Sequence, residues 1–125
     1  MKTIIETTNA PAPIGPYSQA VLSGNTLYTS GQIAIDPKTD KLVMTTIDEE
    51  TNQVMTNMKA VLAEAGMTFD NVIKTSIFIS DMDNFADING VYAQYFTSNF
   101  PARETVEVAR LPKDVNVEIS MIAVK

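Results

Sequence analysis

Two hydrophobic periods divide this chain. Near its end, Val115, Val117, Ile119, Met121 and Ala123 alternate with Asn116, Glu118, Ser120, Ile122 and Val124. A period of two marks a strand and puts Glu118 and Ser120 on one face. Ile122 and Val124 share that face, so it is not simply wetted, and a glutamate among apolar neighbours needs a partner. Arg103, one strand back, is the obvious one: it follows a Phe100-Pro101-Ala102 bend and opens the β-patterned run Thr105-Val106-Glu107-Val108. The loop Arg110-Leu111-Pro112-Lys113-Asp114 separates the two runs. Upstream, residues 2–6, 18–22 and 26–30 also read as strands, the last two joined by a Gly24-Asn25 turn. Pro11, Pro13 and Pro16 each lack an N–H and fix φ, so residues 10–16 form an extended loop that delivers Tyr17. Gly31-Gln32-Ile33 continues or ends the third strand, and residues 36–40 carry turn chemistry.

The period then lengthens. Val54, Met55, Met58, Val61, Leu62 and Ala65 recur at helical steps. Thr46-Ile47-Asp48-Glu49 fits a capping box at the start of this helix, and Gly66 closes it. Residues 72–79 read as a strand buried on both faces. Asp81 or Asp83 can cap a second helix whose apolar positions are Phe85, Ile88, Val91, Tyr92, Tyr95 and Phe96. The order is βββ-α-β-α-ββ, with no linker or repeat, so residues 1–125 are expected to form one α+β domain: a mixed sheet with two helices packed on one face. The other face would stay uncovered although partly apolar, and self-association into a closed ring or barrel is the economical way to cover it.

Composition narrows the chemistry. The chain of 125 residues suffices for one core. Fifteen acidic against nine basic side chains give a net charge of -6, which argues against nucleic acid or an anionic membrane as the main partner. With no cysteine and no histidine, thiol nucleophiles, disulfides, Cys/His zinc sites and the usual near-neutral proton shuttle are excluded. No apolar run suits a signal peptide or a membrane span, so the cytoplasm is the expected location. Lys59 and Lys74 have no partner pattern, and Arg110 and Lys113, flanking the proline turn, read as solvated.

Three blocks, in order and spread over nearly the whole chain, resemble the RidA (YjgF-type) family of reactive-intermediate deaminases. They are Ala12-Pro13-Ile14-Gly15-Pro16-Tyr17-Ser18-Gln19-Ala20; Thr29-Ser30-Gly31-Gln32-Ile33 with Asp36-Pro37-Lys38-Thr39; and Pro101-Ala102-Arg103 followed by residues 106–113 and Val117-Glu118-Ile119. The resemblance implies a chorismate-mutase-like fold. Three subunits would pack their sheets into a central barrel, with ligand clefts between neighbours and no cofactor or metal. It also implies hydrolysis of 2-iminobutanoate and 2-iminopropanoate to 2-keto acids and ammonia. The matching site positions are Arg103 and Glu118 as catalytic residues, with Tyr17, Ser30, Gly31 and Thr105 binding substrate. Two positions depart from the family pattern. Ser120 stands where many members carry a second glutamate, and Glu104 stands where a small residue is usual. Alternation turns Glu104 away from the face of Arg103 and keeps Ser120 on that of Glu118.

The residue chemistry is compatible with this reaction. A guanidinium offers a carboxylate two parallel donors, and a glutamate can guide water or relay a proton. Apolar neighbours would raise the pKa of Glu118 and a nearby arginine would lower it. One geometric objection arises. A simple hairpin about Pro112 would set Glu118 opposite Glu107, roughly 13 Å along the strand from Arg103. Either the two strands are not adjacent or the pair meets across a subunit boundary. The alternative function is a non-catalytic keto-acid binding module, a metabolite sensor that uses the same arginine. RNA-directed and chaperone-like roles rank lower.

Overall fold

The computed structural model describes residues 1–125. In chain order the elements are β1 (Lys2–Ile5), β2 (Ala20–Ser23), β3 (Thr26–Thr29), β4 (Ile35–Asp36), β5 (Lys41–Leu42), α1 (Ile47–Glu64), β6 (Val72–Ile79), α2 (Phe85–Ala93), β7 (Ala102–Glu107) and β8 (Val117–Val124). The expected order is present with one addition: the turn at residues 36–40 closes a small hairpin of its own, β4–β5. The other six strands form one sheet in the order β1-β2-β3-β8-β6-β7, antiparallel throughout except for the parallel pair β6–β7. β7 and β8 are therefore not a hairpin, because β6 lies between them. That answers the geometric objection in favour of non-adjacent strands.

Both helices cover the same face. Met55, Met58 and Leu62 of α1 and Ile88 and Tyr92 of α2 share one core with Leu27, Ile77, Ile79, Val117, Ile119 and Met121. The Thr46 hydroxyl accepts the Glu49 N–H at 3.1 Å at the start of α1. Gly66, at φ 71°, supplies the left-handed residue that ends it. Asp81 caps the short 3-10 turn at Met82–Asn84, which runs straight into α2.

β6 departs from expectation. It is buried on one face only: Thr75, Ile77 and Ile79 face the helices, whereas Lys74, Ser76 and Phe78 are half-buried on the other side. Its run of apolar and β-branched residues hides an alternation because Phe78 lies on the open side. That open face also carries Tyr28, Ile122 and Val106, with Ile4 and Val21 further along. Ile4, Tyr28 and Val106 are 49%, 52% and 39% exposed. Lys74, expected to have no partner, pairs with Glu104 at 3.0 Å on this face.

Three buried polar side chains tie irregular chain to this frame. Gln19 accepts the Thr7 N–H at 2.7 Å and donates to the carbonyls of Thr7, Ala10 and Pro11. Asn57 of α1 donates to the carbonyls of Ile33 and Ile35 at 3.1 and 2.9 Å. Glu50, fully buried in the first turn of α1, accepts the Asn116 N–H at 2.8 Å and the Asn116 side-chain amide at 2.7 Å. Removing the Glu50 carboxylate strands two donors away from water. Glu50→Ala is expected to cost about 3 kcal/mol and Glu50→Gln well under half of that, because a flipped Asn116 amide can still pair with glutamine. Urea unfolding at fixed protein concentration measures both.

Candidate active site

Glu118 lies on the open face of β8, beside Phe78 of β6. Its carboxylate is set by what happens to β3. Tyr28 pairs with Ile122 and Gln32 bridges Ile119, so four steps along one strand match three along the other. This one-residue excess is a bulge. The Thr29 hydroxyl takes up the Met121 N–H at 2.9 Å where the ladder parts. Gly31 then passes directly over Glu118: a Cβ there would sit 2.7 Å from the Glu118 Cδ. Glycine is required here for close approach, not for an unusual φ.

The carboxylate lines a partly open cavity together with Tyr17, Gly31, Gln19, Ile33, Pro112 and Lys113. The three wall segments are those held by Gln19, Asn57 and the Glu50–Asn116 pair. Burial pushes the Glu118 carboxyl above its ordinary range, and no other cause acts on it. Within one chain desolvation thus prevails, with no arginine to oppose it.

Arg103 is elsewhere. It aligns with Thr75 and, through it, with Met121, so its row belongs to the helix face, opposite to Glu118. There α2 clamps the guanidinium. Nη1 donates to Asn89 Oδ1 at 2.7 Å, and the group lies 5.1 Å from the Tyr92 ring centroid and 5.7 Å from that of Phe85. The Tyr92 hydroxyl is bonded to Thr75 at 2.9 Å. Burial raises the Tyr92 pKa against the opposing pulls of Thr75 and Arg103. Arg103 remains exposed at its tip, in an open cleft lined also by Phe100 and Pro101. A fork held by one nitrogen and two ring faces keeps its other donors free for a carboxylate.

The predicted site residues therefore fall into two groups. Tyr17, Gly31 and Glu118 share the cavity. Arg103 and Thr105 share the helix side of the edge strand β7, where the buried Thr105 Oγ1 has no hydrogen-bond partner. Ser30 belongs to neither, because its hydroxyl donates to the Ser18 carbonyl at 2.6 Å and braces the bulge. Glu104 points to the open face as expected, but it is paired rather than free. The Ser76 hydroxyl donates to it and Lys74 lies beside it, and these, the hydroxyl first, lower its pKa. Ser120 and Glu104, the two departures from the family pattern, flank Ser76 in one cross-strand row. Sequence reasoning did not single out Asn89, and it read Lys113 as solvated, which it is, without placing it at the cavity rim. Asn89 had a signal: with Phe85 and Tyr92 it forms an i, i+4, i+7 stripe interrupted by one amide. Lys113 had none, since its place over the cavity depends on a left-handed backbone, φ 56°.

The chain is thus a small mixed sheet with two helices on one face, an arginine clamped at its edge and a half-buried glutamate under a bulge. The sequence profile of the family described as endoribonuclease L-PSP matches residues 7–125, and the chain belongs to that family, also known as the YjgF/RidA family. A RutC family protein of Pyrococcus horikoshii is 54% identical over 125 residues, covering 100% of this chain and 99% of its own. The human protein named 2-iminobutanoate/2-iminopropanoate deaminase is 46% identical over 125 residues, covering 100% of this chain and 91% of its own. Among solved structures, that of Escherichia coli TdcF with bound serine superposes with a TM-score of 0.94 at 43% identity, covering 98% of each chain.

Gly31→Ala tests the contact that fixes the carboxylate. Ordinary carbon contacts need roughly 3.5–4.0 Å, so the Glu118 carboxylate should move by about 1 Å. Because the colliding atoms end a side chain beside a cavity, stability should change by less than about 1 kcal/mol. A crystal structure and an unfolding curve of the variant read the two outcomes.

Proposed function

We propose that the protein hydrolyses 2-imino acids, such as 2-iminobutanoate and 2-iminopropanoate, to 2-keto acids and ammonia, as a homotrimer whose clefts take residues from two neighbouring subunits. The observation that carries this reading is the pairing of an outward-facing, clamped Arg103 with a desolvated Glu118 on the opposite face of the same sheet. The human and bovine relatives named for this reaction support it, as does the serine held by TdcF, a ligand of similar size that also carries one carboxylate. The family description mentions an endoribonuclease, but a net charge of -6 and the lack of histidine favour a small anion over RNA.

Arg103 binds the substrate carboxylate through its free donors and so fixes the C=N carbon. Glu118 of the neighbouring subunit takes a proton from water as the oxygen bonds to that carbon and the π electrons pass to nitrogen. The carbinolamine then receives the proton from Glu118 on its nitrogen. The C–N bond breaks and the C=O bond forms as the hydroxyl gives its proton back to the Glu118 carboxylate, and ammonia leaves. Tyr17 walls the pocket, Gly31 lies over Glu118, and Thr105, two residues from Arg103 on the same side of β7, is a further candidate for contact with the ligand. Subunit association explains why Arg103 and Glu118 need not meet within one chain. It would cover the apolar open face by closing three sheets into a barrel, and it would also employ β7, whose outer edge is unpaired.

The first test follows the decay of 2-iminobutanoate generated by a threonine dehydratase. Wild type should accelerate it, Arg103→Ala should lose about 100-fold in kcat/KM, and Glu118→Ala about 100-fold or more in kcat. Co-assembling the two inactive chains should restore about a quarter of the clefts, because each cleft needs one intact residue from each neighbour. No recovery after mixing would place the site within one chain. Saturable keto-acid binding without turnover, lost in Arg103→Ala and kept in Glu118→Ala, would replace the enzyme by a metabolite-binding module.

The pH dependence follows from the same burial. A raised pKa means that Glu118 holds its proton at a pH where an ordinary glutamate is already ionised. Since the ionised form accepts the proton from water, kcat should fall on acidification, beginning above the ordinary glutamate range. A profile at saturating substrate, compared with that of Glu118→Gln, shows whether this limb belongs to Glu118.

A further inference from the structure

We infer that Lys113 is a second anion anchor in the Glu118 cavity, and that the substrate class therefore includes 2-imino acids with an acidic side chain, the 2-imino dicarboxylates. This rests on the deaminase reading and extends it. Lys113 is the one cationic residue lining the cavity, as Glu118 is the one acid. Its ammonium is in neither ion pair of the chain. Arg103 lies on the other face of the sheet and cannot serve the same chain's cavity. In a two-subunit cleft, Arg103 of the neighbour takes the carboxylate next to the imine. A substrate with one carboxylate then leaves Lys113 unmatched, whereas one with a second carboxylate satisfies it.

The backbone points the same way. Lys113 and Asp114 are consecutive non-glycine residues at φ 56° and 55°, a conformation that L-residues avoid. Arg110 holds the turn in that shape through two bonds to the Asp114 carboxylate, at 2.6 and 3.2 Å, and Leu111 is buried beneath it. The left-handed turn so fixed sets Lys113, an exposed residue, at the rim of the cavity.

The test measures kcat/KM for two imines made in situ by amino-acid oxidases with catalase present, one from 2-aminobutanoate and one from glutamate. Wild type should accelerate the hydrolysis of both. Lys113→Asn keeps a residue that tolerates the left-handed conformation and should lower the dicarboxylate-to-monocarboxylate ratio of kcat/KM by about tenfold, through KM. Lys113→Arg should restore most of that ratio, with circular dichroism confirming that each variant folds. If wild type accelerates only the monocarboxylate, or if the ratio does not move in Lys113→Asn, the inference is overturned and the deaminase reading stands. If neither imine decays faster with wild type, the deaminase reading fails and the inference falls with it.

Discussion

A side chain on a β-strand belongs to one face of its sheet, and this constraint organises the molecule. β6, α2 and β7 form a parallel crossover unit, and the crossover lays α2 against the helix face of the edge strand. The same connection that makes the pair parallel thus brings Phe85, Asn89 and Tyr92 to Arg103. The chain then returns as β8 on the far side of β6, antiparallel, with Glu118 three residues out of step with the Arg103 row. An odd offset on a pleated sheet means opposite faces. One topology therefore sets Arg103 and Glu118 on opposite faces of the same sheet, out of each other's reach within one chain.

What the sheet does not position, buried polar side chains do. The loop carrying Tyr17 and the segment carrying Gly31 are irregular, and irregular chain near a core leaves carbonyls and N–H groups to be satisfied. Gln19 satisfies four such groups and Asn57 two. Glu50 fixes Asn116, two residues before Glu118. Each of the three secures a different wall of the cavity. The pocket's shape thus depends on hydrogen bonds whose loss would leave unpaired groups in a dry interior, a larger penalty than the bonds themselves contribute in water.

Periodicity made most of the frame legible. The alternation of residues 115–124 separated Glu118 from the core, and the helical stripe of α1 located its buried face. The same alternation turned Glu104 from Arg103, as observed. Periodicity failed where one apolar side chain sits on the open face: Phe78 made β6 look buried twice over. Pairing partners were beyond its reach, because which strands neighbour each other is decided by long-range packing. Hence Arg103 and Glu118 looked like a pair although β6 lies between their strands. The family blocks gathered Tyr17, Gly31, Glu118, Arg103 and Thr105 as candidates, but they carried no information about faces. Backbone conformation was equally hidden: Lys113 reads as solvated and is exposed, but its left-handed place at the cavity rim has no signal in the sequence.

The two departures from the family pattern also gain a physical meaning from the register. Ser120 and Glu104 stand on either side of Ser76, in the row next to that of Glu118. A glutamate at position 120 would share the face of Glu118 at a two-residue spacing, roughly 7 Å away, near enough for each carboxylate to oppose the other's ionisation. Serine removes that coupling. The acid at Glu104 lies two strands across, roughly 10 Å from position 120, and Lys74 and Ser76 already hold it as a carboxylate. Its charge is balanced locally, so it adds little repulsion at Glu118. Glu118 is left to titrate as one half-buried carboxylate and not as a member of a coupled pair, with a proton affinity raised by desolvation.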